Sequence, residues 1–252
     1  MTRVSIITVV YNNEFIGTAI QSVIAQDYPH IEYIVVDGGS TDRTMDIIKG
    51  YGSRIQQVIS EPDLGIYDAL NKGINLATGD YVGLLHADDF MADPEVVSRV
   101  VKVFEENPGT NAAYADVIFT DPWDLNKVLR YYSSKHFKPW MFKFGFQPAH
   151  PTFYAEKSLF IKYGLYSTRY KIAGDFELLM RFLYIHKVKA LYVRDVWVKM
   201  RIGGVSTAGL KSLFKLNKEI LMACRSNAVY TNPAMVYSKY MVKWWGFIFR
   251  KT

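Results

Sequence analysis

The chain has 252 residues, half of them hydrophobic and 21% charged, a composition that supports one sizeable core and excludes a disordered chain. Its 30 Lys and Arg against 24 Asp and Glu leave a formal charge of +6, which suits anionic small ligands or an acidic membrane surface, and no nucleic-acid-binding signature accompanies it. The single cysteine, Cys224, excludes an intrachain disulfide and a cysteine-rich zinc site, and agrees with a reducing cytosol.

Taken in order, the first part alternates between strand and helix patterns. The opening run is expected to be a strand and not a secretory leader, because its apolar stretch is short and broken by Asn12 and Asn13. Val4 to Val10 and Ile31 to Val36 are β-branched runs that end in turn residues, and Phe15, Ala19, Ile20 and Val23 recur between them at helical spacing. Ser40 or Thr41 is placed to cap a helix containing Met45, Ile47 and Ile48. A strand over Ile55 to Ile59, a helix over Tyr67 to Ala77 and a strand over Tyr81 to Leu85 follow, and the last runs straight into Ala87-Asp88-Asp89. The next helix is expected to begin at Pro94. Such alternation predicts an α/β fold with a mostly parallel central sheet and helices on both faces.

Beyond about Asn111 the order changes. Ala112 to Phe119 and Val128 to Tyr132 read as strands around a polar turn, and an aromatic stretch from Phe137 to Phe146 leads into Gln147-Pro148-Ala149-His150-Pro151. Helical spacing returns over Glu156–Tyr163 and Asp175–Ile185, and Leu213, Leu216, Ile220, Leu221 and Cys224 mark an amphipathic helix. No segment reaches the roughly 18 uninterrupted apolar residues of a membrane span.

Ligands of parallel sheets gather at the carboxyl ends of the strands. Asp37 stands at one such end, where it reads either as a hydrogen-bond acceptor for a base or as a turn residue; Asp42 reads as a helix cap. Asp88 and Asp89 stand at another. Adjacent carboxylates repel, so they call for a hard divalent cation such as Mg2+ or Mn2+ or else cap the following helix.

The strings Val4-Ser5-Ile6-Ile7-Thr8-Val9-Val10-Tyr11-Asn12-Asn13, Val35-Val36-Asp37-Gly38-Gly39-Ser40-Thr41-Asp42, Gly65-Ile66-Tyr67-Asp68-Ala69-Leu70-Asn71-Lys72-Gly73 and Ala87-Asp88-Asp89 stand in an order and spacing that resembles the family 2 glycosyltransferases of GT-A fold. The resemblance covers about the first 95 residues and is of the bacterial surface-polysaccharide type. It implies that Val9, Tyr11 and Asp37 meet the nucleotide, that Asp88 touches the ribose side, and that Asp89 binds the metal on the diphosphate. Where family members often carry Arg this chain has Leu70, and where the acidic motif usually leads with an acid it has His86. Asn71, Lys72 and Arg201 are therefore the further donor-side candidates, the two cations for the phosphates.

Ala173-Gly174-Asp175-Phe176-Glu177 resembles the family motif of the catalytic base, which takes the proton from the acceptor hydroxyl in an inverting transfer. On its own residues Asp175 reads equally as a helix N-cap, and Glu177 is the reserve candidate. His150 sits in a segment resembling the acceptor side. The aromatic stretch Trp140 to Phe146 reads as acceptor pocket or as core, and Gly203-Gly204-Val205-Ser206 as a closing loop or an ordinary turn. The basic and aromatic residues from Tyr237 to Thr252 suit either an anionic membrane surface or a packed terminal helix.

The organisation implied is a nucleotide-sugar-binding half at 1–110, an acceptor and base half at 111–206, and C-terminal amphipathic helices at 207–252. The expected protein is an inverting, non-processive hexosyl- or N-acetylhexosaminyltransferase using a UDP-linked donor, a divalent metal and a glycan or lipid-linked acceptor, with no nucleic acid partner. Its expected place is the cytoplasm or the inner face of the cytoplasmic membrane, in lipopolysaccharide, capsule or exopolysaccharide assembly. A catalytically inactive scaffold of such an assembly is the alternative. A dinucleotide enzyme is excluded by Tyr11-Asn12-Asn13 where a Gly-x-Gly-x-x-Gly turn belongs. A sugar nucleotidyltransferase lacks its glycine-rich basic loop, and a processive synthase its Gln-x-x-Arg-Trp.

Overall fold

The computed structural model describes residues 1–203 and 209–249, with side chains through 203, at 209 and over 211–241. Gly204, Val205 and Ser206 of the expected loop, and the side chains from Lys243 to Lys251, lie outside the described set.

Among the described residues nine strands and eight α-helices follow in the order β1 (Val4–Val10), α1 (Ile16–Ile24), β2 (Ile31–Asp37), α2 (Thr44–Lys49), β3 (Gln57–Ser60), α3 (Ile66–Leu76), β4 (Tyr81–Leu84), β5 (Asp89–Met91) and α4 (Val96–Glu106). The second half adds β6 (Ala112–Thr120), β7 (Val128–Tyr132), β8 (Tyr154–Glu156), α5 (Lys157–Tyr163), α6 (Gly174–Met180), β9 (Ala190–Arg201), α7 (Leu210–Ser226) and α8 (Pro233–Phe249). All strands join one sheet, ordered β3-β2-β1-β4-β8-β6-β9-β5 with β7 on β6. The first four run parallel, whereas β8 is antiparallel to both β4 and β6. None of the described helices is long and apolar enough to cross a membrane.

Strand β1 is buried along its whole length, as a central parallel strand covered on both faces must be. Its period of two divides the core. Val4, Ile6 and Val10 face α1 and α4, joining Ile16, Ile20, Val97 and Val101. Ile7 and Val9 face the other way, joining Leu70 and Ile74 of α3, Leu178 of α6 and Ile220 of α7. Gly73 lets α3 lie close to β1, since a Cβ there would come within 2.4 Å of the Ile7 side chain.

Several expected elements shift. The α2 helix begins at Thr44 and not at Ser40 or Thr41, because Asp42 accepts from Thr44 N–H while Ser40 and Thr41 brace Asn12. The helix expected at Pro94 starts at Val96, capped at long range by Gln26, whose side-chain oxygen accepts from Val97 N–H. The helix expected to run to Ile185 stops at Met180 and continues as a π turn over Arg181–Ile185. Strands β5, β8 and β9 are additions to the expected set. Of these, β5 and β9 pair antiparallel, Asp89 opposite Met200, which brings the start of β5 beside Arg201.

Candidate functional site

The strand order turns back on itself at β1 and β4, and the loops after β1, β2 and β4 surround the crevice at that switch point. Asp37 ends β2. Its Oδ2 accepts from Gly39 N–H at 3.1 Å, Ser40 N–H at 3.0 Å and the Ser60 hydroxyl at 2.7 Å. Its Oδ1 is buried with no partner among the described residues, so one lobe of the carboxylate is fixed and the other is left for a donor from outside the protein. The loops after β1 and β2 are tied reciprocally: Asn12 N–H donates to Ser40 Oγ and Thr41 N–H to Asn12 Oδ1. That tie holds Tyr11, 62% exposed, beside Gly38. Asp63 closes on Gly38 as well, so that a Cβ at Gly38 would meet its carboxylate at 2.4 Å. Asp63 stands in none of the motifs that mark the site in the sequence.

Asp89 is buried, and its Oδ2 has no hydrogen-bond partner among the described residues. Burial, then repulsion from Asp88, pushes its carboxyl well above the usual range, and nearby Arg201 only partly offsets this. The Arg201 guanidinium donates to Pro122 O at 2.8 Å and Thr18 Oγ1 at 2.9 Å and lies over the Phe15 ring, with its Nε unpartnered among the described residues. Among the described residues no three His, Cys, Asp or Glu side chains converge as a ready-made cation cage. Mg2+ and Mn2+ sites on diphosphates use one or two carboxylates and take their other oxygens from phosphate and water. An adjacent Asp88-Asp89 pair with a bare buried oxygen fits that donor set.

The third group of residues comes from the second half. Asp175 stands in the first turn of α6. Its Oδ2 lies 2.8 Å from Gln147 Nε2 and 3.1 Å from His150 Nδ1; its Oδ1 lies 3.5 Å from the Tyr67 hydroxyl, which donates to Ile172 O at 2.6 Å. Gly174 is required here, because any Cβ would sit 2.6 Å from the Tyr67 ring. Glu219 of α7 secures the approach to α6, its Oε2 accepting from Lys171, Ile172 and Ala173 N–H at 3.0, 2.8 and 2.9 Å. His86 bridges to the loop that carries Asp88 and Asp89: its ring lies 5.7 Å from that of His150, and desolvation followed by the His150 ring pushes it down to about 4, so it is neutral at pH 7.

The sequence candidates thus divide. Tyr11, Asp37, Asp88, Asp89 and Arg201 line the loop edge, and His150 meets Asp175. Others have different employment. The Val9 side chain packs in the core, leaving only its backbone to face a ligand. The Asn71 amide spans the Tyr166 backbone, donating to its C=O at 2.8 Å and accepting from its N–H at 2.9 Å, and is a clamp between α3 and the segment before α6. Lys72 is spent on Glu61 at 2.8 Å, Asp68 and Pro62 O, which leaves Arg201 as the cation beside the Asp pair. Glu177, the reserve base, is 5% exposed and held by Arg181 and Asn227. Of the aromatic stretch, Phe137 and Phe142 are core and Trp140 is exposed.

A family model described as glycosyl transferase family 2 matches residues 5–168, a span that takes in Asp37, Asp89 and His150 and stops short of Asp175. A PGL/p-HBAD biosynthesis glycosyltransferase of Mycobacterium tuberculosis is 28% identical over 191 residues, 69% of each chain. An uncharacterized glycosyltransferase of the same organism is 31% identical over 190 residues, 71% of this chain and 68% of that one. Among solved structures, a mannosyltransferase from Pyrobaculum calidifontis in complex with GDP-Man and Mn2+ superposes with a TM-score of 0.67 at 18% identity, over 93% of this chain and 66% of that one. S. aureus TarS 1–349 in complex with UDP-GlcNAc gives 0.66 at 17% identity, over 88% and 66%. This chain spans 39% of the longer TarS structure. At such identities the likeness speaks for the fold, which is GT-A.

Proposed function

The chain belongs to the family 2 glycosyltransferases, and from that premise we propose that it transfers one sugar, with inversion, from a UDP-linked donor to a lipid-linked or oligosaccharide acceptor in bacterial surface-polysaccharide synthesis. The observation that carries this reading is a set of carboxylate oxygens left without a full donor set at one edge of the sheet: Asp37 Oδ1, Asp89 Oδ2 and Asp175 Oδ1. In this reading Asp37 accepts from the base ring N–H, with Tyr11 against its face. Asp89, with Asp88, holds a divalent cation; when bound, the cation neutralises the charge that gathers on the departing diphosphate. Arg201 adds a fixed positive charge on the same side.

Asp175 takes the proton of the acceptor hydroxyl while that oxygen bonds to the anomeric carbon and the bond to the nucleoside diphosphate breaks. Inversion is supported by the supply of carboxylates: with Glu177 tied to Arg181, one free carboxylate serves this side, which suits a single displacement. A lipid-linked acceptor is supported by α7, whose outer face carries Lys211, Phe214, Lys215, Lys218, Met222 and Arg225 while its one acid, Glu219, turns inward. Cations interleaved with apolar groups suit an anionic lipid surface.

The test is calorimetric titration of UDP, GDP and their common sugar conjugates, with and without Mn2+, on wild type, Asp89→Ala and Asp175→Asn. The expected result is Mn2+-dependent binding of one nucleotide, lost in Asp89→Ala and kept in Asp175→Asn, with transfer abolished in both. Absence of binding by every nucleotide would favour the inactive scaffold instead.

A further inference from the structure

We propose that Gln147 and His150 clamp one oxygen of Asp175, leaving the other as the sole working lobe of the base. The proposal rests on the reading of Asp175 as base and adds two positioning residues to it. An ionised carboxylate only accepts, so the contact at 3.1 Å requires the proton on His150 Nδ1, and Gln147 must turn its amide N–H toward the same oxygen at 2.8 Å. Both donors therefore converge on Oδ2. Among the described residues the hydrogen-bonding neighbour of Oδ1 is the Tyr67 hydroxyl at 3.5 Å, whose single hydrogen is already given to Ile172 O at 2.6 Å. Oδ1 keeps its lone pairs for a hydroxyl arriving from outside.

The backbone carrying both donors is pinned at each step. Tyr132 donates its hydroxyl proton to Gln147 O at 2.6 Å, Ala149 N–H reaches Ser134 Oγ at 2.9 Å, and Phe153 N–H reaches His150 O at 3.0 Å. Pro148 and Pro151 fix φ beside both donor residues. Ser134 is itself held, its N–H donating to the buried Asp116 carboxylate at 2.6 Å. This bracing sets where the two side chains can point, and they point at one atom.

Gln147 gives the second sign of purpose. With its Nε2 on Asp175, its Oε1 is buried without a donor among the described residues. A turned amide would put Oε1 against the carboxylate instead, so the orphaned oxygen is the consequence of holding Oδ2. The His86 ring meets that of His150 edge-on at 5.7 Å, and the polar contact of the His150 imidazole is the one its Nδ1 makes with Asp175. A rotated or loosened carboxylate would still be present and charged but would meet the acceptor hydroxyl off line, and a misplacement on the order of 1 Å costs about 10²-fold in rate.

The clamp is tested by NMR and by kinetics on the full chain. In 15N-labelled protein, the five histidines are resolved by long-range ring correlations, with His150 assigned by its loss in His150→Asn. The expected pattern is the Nδ1–H tautomer for His150 in wild type, reverting to the common Nε2–H form in Asp175→Ala; an Nε2–H tautomer in wild type overturns the clamp. The kinetic arm follows nucleoside diphosphate release with Mn2+ from UDP-glucose, UDP-N-acetylglucosamine or GDP-mannose. His150→Ala and Gln147→Ala should each lower kcat about 10²-fold with donor KM unchanged, and His150→Asn, whose amide N–H can replace Nδ1–H, should recover much of the loss. Wild-type kcat in both alanine variants overturns the clamp. Full turnover in Asp175→Asn overturns the base reading instead, and the tautomer measurement then still decides the clamp. If none of the three donors turns over, the tautomer alone decides.

Discussion

Glu219 secures the approach to the first turn of α6, and its removal gives the sharpest energetic prediction. The side chain is 8% exposed, and one oxygen receives three consecutive backbone N–H groups, those of Lys171, Ile172 and Ala173. A hydrogen bond to a charged acceptor contributes about 1.5–3 kcal/mol, and a buried N–H left unpaired costs about 1–3 kcal/mol. Because the three donors share one oxygen their contributions overlap and do not add. Glu219→Ala should therefore destabilise the fold by about 3–5 kcal/mol, more than one unpaired N–H costs and less than three such costs summed. For a chain of this size about 1 kcal/mol moves the midpoint by about 2–4 °C, so Tm should fall by roughly 6–20 °C. Glu219→Gln, which keeps an acceptor but not the charge, should fall between. Urea unfolding followed by tryptophan fluorescence reads the change directly, provided the slope with denaturant is unaltered. A loss for Glu219→Ala below about 0.5 kcal/mol, within the range of ordinary surface changes, would refute the account: the loop would then be held by its other contacts.

Two further perturbations follow from close contacts elsewhere. Gly174→Ala places a methyl 2.6 Å from the Tyr67 ring; overpacking of this kind costs about 1–3 kcal/mol. Since Asp175 is the next residue, transfer should fall more than nucleotide binding does, and equal losses in both would argue against a local effect. Glu32 gives a pH dependence. Burial alone would raise its carboxyl, but hydrogen bonds from Ser5 and Thr78 and the charge of Arg3 outweigh it, and the net shift is downward. A lowered folded value means that Glu32 stabilises the protein above the ordinary glutamate value of about 4.3 and that this contribution is lost as pH falls through the depressed value. Glu32→Gln should thus be less stable than wild type at neutral pH, with the gap closing in acid; a gap independent of pH would show that the charge is not what matters.

Much of the molecule could be read from local patterns, and the reason is physical. The β-branched run Val4–Val10 is buried on both faces, so its whole length is apolar and announces a central strand. Tyr11, Asp37 and the Asp88-Asp89 pair stand within a residue or a few of strand ends, where chain order alone puts them at the ligand edge of a parallel sheet. What escaped the sequence depends on partners far along the chain. Strands β5 and β8 have three residues each, too few to display a period, and they exist because β9 and β4 supply their hydrogen bonds. Asn71 and Lys72 stand in the family-like string, yet their side chains answer to Tyr166, Glu61 and Pro62. Gln147 and Glu219 carry no local signal at all, since the first reaches Asp175 across 28 positions and the second caps a loop 46 to 48 positions away. Residue type and spacing could nominate the carboxylates. Which oxygen of each is tied and which is left open is a question of hydrogen-bond partners, and only the packed chain brings those partners within reach.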